Sequence, residues 1–184
     1  AQEATPVIDQ TMDGLSAAIL EAYKGLPGQQ GLMFLAPPDT GRTAWSMELN
    51  ADDRFFIASV FKAFALAECL RQEEAQLDPA SEIPLAAQLN MRLGQQLPLD
   101  ESVFSLAAPV LNTPSLTGSV TLRTALEAMI AHSDNTATDF VLKHVGPENV
   151  DAFIAEIGLT QTVIPLSTHQ CFGYAFCVVV SEVI

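Results

Sequence analysis

In the stretch Asn50-Ala-Asp-Asp-Arg-Phe-Phe-Ile-Ala-Ser-Val-Phe-Lys62, a serine lies three residues before a lysine, at a point where a helix should begin. Residues three apart on a helix share one face, about 5 to 6 Å apart at Cβ, so the amine of Lys62 is expected to reach the hydroxyl of Ser59. A serine becomes a nucleophile when a nearby base takes its proton, and a partly desolvated lysine can be that base. The N–H groups of a first helical turn would stabilise an oxyanion beside Ser59. The stretch therefore predicts an acylation site.

A second motif, Ser133-Asp134-Asn135, follows a predicted helix that Thr121 caps and that runs to Ala131. Thr136 is expected to open the next helix, which places Ser133 on a turn between two helices. Asp134 is expected to orient that turn through hydrogen bonds rather than to take part in chemistry.

Around these motifs the chain resembles the class A β-lactamase family and its penicillin-interacting serine hydrolase relatives. Ser-x-x-Lys and Ser-Asp-Asn belong to the signature of that family, together with Lys-Thr-Gly, which this sequence lacks. The likeness includes the Asp-Asn-Thr-Ala run at 134–137 and the Val-Gly-Pro-Glu-Asn-Val-Asp-Ala-Phe-Ile-Ala-Glu-Ile-Gly run at 145–158. It covers residues 10 to about 168, and its middle part is poorly matched.

The resemblance implies a serine hydrolase that is acylated by β-lactams or related amides and esters, including amides like those of peptidoglycan. It implies that Ser59 is the nucleophile and that Lys62 is the base or proton relay. Ser133 would pass a proton to the leaving nitrogen, and Asn135 would hold the side-chain amide of the substrate. No cofactor is expected, and no metal either, because the cysteines and the histidines match no zinc pattern.

Two departures from the family pattern accompany this resemblance. The family carries a glutamate after the equivalent of Gly158 that activates water to free the acyl-enzyme, and residues 159–169 contain no carboxylate. His169 is the one candidate base there. The second departure is length, since too few residues follow Asn135 to build the remaining strands. The chain is thus expected to be a fragment or a divergent member whose sheet another chain, such as a second copy, completes at an open edge.

The fold class expected is α+β: a mostly helical body with a small antiparallel sheet, like that of β-lactamases and DD-peptidases, incomplete here, in one domain over residues 1–184. Spacing of apolar residues, caps and turn residues predicts its elements. They are a helix at 10–24, a hairpin from 31–36 and 43–49, a buried central helix at 59–72, helices at 121–131 and 147–157, and a strand at 176–180. Residues 78–119 are predicted to form short helices and loops.

Composition excludes several classes of function. The chain has 22 acidic and 8 basic residues and a formal net charge of −14, without the clustered Lys and Arg that nucleic acid binding requires. No uncharged apolar run is long enough for a membrane helix. The start at Ala1 suits a mature exported protein, so a periplasmic or secreted location is expected. Cys69, Cys171 and Cys177 allow one disulfide at most and match no zinc pattern, and half-buried thiols are the simpler interpretation.

Two alternatives stay open at the level of sequence. A Ser-His-Asp triad can be drawn from Ser59, a histidine and an aspartate, since triads assemble in space. Its candidates are His132 or His144 with Asp134 or Asp139. The other alternative is a non-catalytic or penicillin-binding relative, or a fragment, that retains an esterase-like or DD-peptidase-like site but does not turn over.

Overall fold

A computed structural model describes residues 10–41, 43–111, 118–168 and 178–180. It contains two compact units, of which the first ends at Asp53 and the second begins at Arg54. The expectation of one domain over the whole chain stays a prediction. Among the helices of these ranges, none has the length and apolar character that a membrane span requires.

The first unit consists of helix α1 (Gln10–Lys24) and a hairpin of β1 (Leu32–Ala36) and β2 (Trp45–Leu49). The strands are antiparallel and pair along their whole length. The indole N–H of Trp45 donates to Ser16 Oγ on α1 at 3.1 Å, which ties the helix to the hairpin. The predicted helix and hairpin are therefore confirmed.

Five helices form the body of the second unit. They are α2 (Lys62–Glu74), α3 (Leu85–Leu93), α4 (Leu122–Ala131), α5 (Asn135–Val145) and α6 (Pro147–Glu156). Short 3₁₀ turns occupy Ala58–Phe61 and Glu101–Val103. Helix α2 packs against each of the other four helices, and α5 packs against α2, α4 and α6. The predicted central helix is confirmed, although Ala63 and Leu70 on one side of it are exposed.

Local signals explain where two of these helices begin. Thr121 caps α4, because its hydroxyl accepts the N–H of Thr124 at 3.0 Å. Gly146 precedes α6 with φ of +81°, in the region that favours glycine, and a Cβ there would meet Glu148 Oε1 at 2.6 Å. Pro147 then supplies the first turn of α6 with a preset φ.

Four strands of the second unit form two antiparallel pairs. They are β3 (Arg54–Phe56), β4 (Gln96–Leu99), β5 (Gly118–Thr121) and β6 (Val178–Val180), paired β3 with β6 and β4 with β5. The predicted terminal strand is confirmed at 178–180, and Phe176 and Cys177 lie outside the described residues. The β4–β5 pair corrects the prediction of only helices and loops at 78–119. Pro98 suits β4 because a strand with one partner can leave a position without an N–H donor.

Polar groups run through the core of the helical body. Glu73 of α2 is buried, accepts from Arg92 Nε of α3 at 2.6 Å and lies 3.2 Å from His144 Nε2 of α5. The carboxylate therefore links three helices. Cys69, one turn before it, is wholly buried. Burial, followed by the charges of Glu73 and Glu68, raises the pKa of the Cys69 thiol to about 12. Cys171 and Cys177 lie outside the described residues.

Candidate active site

The second unit brings all four predicted site residues together. Ser59 lies on the 3₁₀ turn that leads into α2, and Lys62 is the first residue of α2. Ser133 lies on the turn between α4 and α5, and Asn135 is the first residue of α5. Two local expectations are corrected: Ser59 is on a 3₁₀ turn rather than an α-helix, and α5 begins at Asn135 rather than at Thr136.

The amine of Lys62 is buried in a set of oxygen acceptors. It donates to Ser133 O at 2.6 Å, to Ser133 Oγ at 3.0 Å and to Asn135 Oδ1 at 2.8 Å. The residue is 2% exposed. A buried amine costs a large desolvation free energy unless such partners compensate it. These contacts therefore fix the amine at the junction of α2 and α5.

Ser133 connects Lys62 to Ser59. Its hydroxyl accepts from Lys62 Nζ and donates to Ser59 Oγ at 2.8 Å. Both serines are exposed, whereas the amine behind them is not. A continuous path for a proton thus runs from a solvent-facing hydroxyl, through a second hydroxyl, to a buried amine.

The two hydroxyls open into a cleft of about 690 Å³. It is lined by Ser59, His132, Ser133, Asn135 and the loop residues Ala107, Ala108 and Pro109. No sequence signal marks these loop residues as a wall of the cleft, because small apolar residues in a proline-bearing segment are common in ordinary loops. The cleft has the volume of a small-molecule site.

Asp134 holds the loop wall against the start of α5. Its carboxylate is fully buried and accepts the N–H of Ala137 at 2.8 Å, which caps α5. The same carboxylate accepts the N–H of Val110 at 2.7 Å and of Leu111 at 2.9 Å. Its predicted orienting contacts are therefore present, and they extend to a loop more than twenty residues away along the chain.

Backbone strain concentrates beside the cleft. Ala58, Ala107 and Ser133 have φ values of 45°, 56° and 53°, in the left-handed region that costs non-glycine residues about 1 to 3 kcal/mol. The bond from Lys62 Nζ to Ser133 O holds the last of these. Surrounding contacts that maintain such conformations at three points around one cleft are typical of a functional site.

Asn135 is bonded at both ends of its amide. Its Oδ1 accepts from Lys62, and its Nδ2 donates to Leu106 O at 2.8 Å. A side-chain amide nitrogen carries two hydrogens. The contacts to the described residues use one of them, so the other is available to the ligand amide that the sequence resemblance assigns to Asn135.

The segment after α6 is anchored to the helical body by two carboxylates. Asp151 accepts the N–H of Ile164, and its pKa is raised because burial outweighs that bond. Asp139 accepts the N–H and hydroxyl of Thr168 at 2.5 and 2.8 Å, and Thr168 Oγ1 lies 2.6 Å from Ser105 Oγ. His169 lies outside the described residues.

The candidate Ser-His-Asp triad does not assemble among the described residues. Asp134 accepts from backbone N–H groups, and Asp139 accepts from Thr168. His144 pairs with the buried carboxylate of Glu73. His132 lines the cleft with Ser59, but no hydrogen bond among the described residues joins its ring to Ser59 or to either aspartate. A lysine pair is therefore the arrangement that the geometry supports beside Ser59.

Comparison with known proteins identifies the family that the chain matches. Residues 14–170 match the model of a family described as the beta-lactamase enzyme family. A β-lactamase of Amycolatopsis lactamdurans is 36% identical over 121 residues, which cover 65% of this chain and 34% of that protein. The β-lactamase CTX-M-8 of Citrobacter amalonaticus is 29% identical over 142 residues, which cover 77% of this chain and 42% of that protein.

A solved structure extends the likeness to the fold. The β-lactamase from Burkholderia phymatum matches with a TM-score of 0.70 at 19% identity, over 93% of this chain and 59% of that one. At this identity the match shows the fold, and the predicted α+β class is confirmed. The chain spans less than two thirds of the length of each of these three proteins.

Proposed function

Because the chain belongs to the beta-lactamase enzyme family, we propose that it is a serine hydrolase in which Ser59 is acylated by β-lactams or related amides and esters. One observation carries the proposal: the hydrogen-bonded path from Ser59 Oγ through Ser133 Oγ to the buried amine of Lys62. Such a path removes a proton from the nucleophile without exposing the base to water.

In the acylation step Ser59 Oγ attacks the carbonyl carbon of the ligand. The step requires Lys62 as a neutral amine and both hydroxyl hydrogen bonds reversed from the resting arrangement, in which Lys62 Nζ donates to Ser133 Oγ and Ser133 Oγ donates to Ser59 Oγ. The Ser59 proton then passes to Ser133 Oγ while the Ser133 proton passes to the amine, and the carbonyl becomes an oxyanion. The tetrahedral intermediate then collapses, the carbon–nitrogen bond breaks, and Ser133 returns a proton to the leaving nitrogen as Lys62 gives one back. All protons in this step come from the three linked groups.

Release of the acyl group is proposed to be slow. Residues 159–168 offer no carboxylate, and the two carboxylates that anchor this segment accept hydrogen bonds from it. A missing general base typically reduces a rate by about 10²- to 10⁴-fold. This feature also favours a second candidate function, a penicillin-binding relative with a DD-peptidase-like or esterase-like site that remains acylated.

Membership of this family also suggests a cellular location and a class of ligand. We propose a periplasmic or secreted location and a small β-lactam or peptidoglycan-like amide as its ligand. Completion of the sheet by a second copy stays a prediction, which light scattering of the purified chain would measure.

Labelling with a fluorescent penicillin tests the acylation. We expect an intact-mass increase equal to one ligand, which disappears in Ser59→Ala and persists in Ser119→Ala, a matched control at an exposed serine on β5. An unmodified mass at saturating ligand, or an adduct that survives in Ser59→Ala, would exclude the proposal. Hydrolysis of a chromogenic cephalosporin then separates turnover from stable acylation.

A further inference from the structure

His132 lies directly before Ser133, at the C-terminal end of α4. Its backbone N–H donates to Ala128 O at 3.2 Å, so the residue completes the last turn of that helix. Its side chain is exposed and lines the same cleft as Ser59. The helix end therefore places His132 beside the cleft into which Ser59 opens.

The other described groups that line the cleft differ from His132 in kind. The loop contributes Ala107, Ala108 and Pro109, and the site itself contributes two hydroxyls and an amide. Lys62 carries the nearest amine, but it is 2% exposed and its bonds point to Ser133 and Asn135. Within the described lining, His132 is thus the residue with an ionisable side chain open to the cleft.

An anionic ligand would gain from such a group in this acidic protein. The formal net charge of the chain is −14, and a surface of that sign repels anions over a distance of several ångströms. A ring N–H is present on imidazole in its neutral form, and both ring nitrogens carry one when it is protonated. A hydrogen bond from that N–H to a carboxylate is charge-assisted and hence among the stronger kinds.

We propose that His132 is a specificity-determining residue, which donates a ring N–H to the carboxylate of the ligand that acylates Ser59. This inference rests on the proposed function and adds the charge of its preferred ligand. A bond of this class changes an equilibrium constant by about tenfold. Ligands that carry a carboxylate beside the reactive amide are therefore preferred over their neutral esters.

Equilibrium binding to a protein that cannot be acylated tests the inference separately. In the Ser59→Ala background, benzylpenicillin is titrated by calorimetry or NMR against the parent and against proteins that also carry His132→Ala or His132→Gln. The matched control is Ile130→Ala, an exposed apolar residue two positions earlier in α4. We expect His132→Ala to raise Kd about tenfold, His132→Gln to recover part of the loss, and Ile130→Ala to leave Kd unchanged.

The methyl ester of benzylpenicillin supplies the second arm. Because it lacks the carboxylate, its Kd should be the same in the parent and in His132→Ala. Equal losses for the acid and the ester, no loss for the acid, or no binding of the acid to Ser59→Ala would each overturn the inference. Acylation of the wild-type chain is scored in the separate mass experiment, so failure of the proposed function is recognised on its own.

Discussion

Two regions of the helical body differ in what they present for catalysis. The junction of α2 with the α4–α5 turn holds an amine, two hydroxyls and an amide in one bonded set. The segment 159–168 is also held by polar contacts, among them those to Asp139, Asp151 and Ser105, and these contacts serve to hold it in place. Holding a segment in position and giving it a chemical role are therefore separate properties. The helical body holds both regions, but only the junction of α2 with the α4–α5 turn carries groups suited to a reaction.

Removing the amine of Lys62 should have the largest effect. In Lys62→Met the proton path from Ser59 has no terminal acceptor, so we expect the acylation rate constant to fall by about 10³-fold or more. Stopped-flow measurement with a fluorescent penicillin gives that rate. Lys143→Met is the matched control, because this lysine is exposed and pairs with Asp100. Equal rates in wild type and Lys62→Met would remove the lysine from the mechanism.

Removing the carboxylate of Asp134 should affect the whole acylation region. Asp134→Ala leaves three backbone N–H groups without their acceptor, at Ala137, Val110 and Leu111. We expect the free energy of unfolding to fall by about 3 kcal/mol, because unpaired buried donors cost about 1 to 3 kcal/mol each. Urea denaturation followed by circular dichroism measures the change. A loss below about 1 kcal/mol would show that the loop wall does not depend on this residue.

The lifetime of the acyl-enzyme adduct tests whether residues 159–168 lack a chemical role. Because a general base typically speeds a step by about 10²- to 10⁴-fold, release of the acyl group without one should be slower than its formation, and the adduct should accumulate under saturating ligand. Intact-mass spectra taken after removal of free ligand follow the decay. Decay as fast as acylation would show that another group activates water, and the segment would then have to be assigned a chemical role.

Sequence reasoning found what depends on neighbours in the chain. The cap at Thr121, the orienting role of Asp134 on its turn, the proline at the start of α6 and the Ser59 and Lys62 pair are all local signals. It missed the loop wall, because the contacts from Asp134 to Val110 and Leu111 join residues that are distant in sequence. It also missed the β4–β5 pair, since Pro98 is typical of loops and a short edge strand has little pattern of its own.

The smallest effect is expected at the exposed pair of Lys143 and Asp100. Hydrogen bonds from Lys143 and then from Ser102 lower the pKa of Asp100 from 3.8 to about 2. Because the folded pKa is depressed, the stabilisation is present above the unfolded value and is lost as the pH falls from about 4 to about 2. In Lys143→Met the pKa of Asp100 should rise toward 3.8, as an NMR titration of its carboxyl carbon would show. An unchanged pKa would mean that Ser102 alone sets it.

The buried thiol of Cys69 can report on local opening of the helical body. A thiol with a pKa near 12 inside a closed core presents almost no thiolate to an alkylating reagent at neutral pH. With Cys171 and Cys177 replaced by serine, the rate of alkylation at Cys69 therefore counts the opening events of α2 against its neighbours. A ligand that acylates Ser59, three residues before the start of α2, should slow that rate if the adduct keeps the helical body closed.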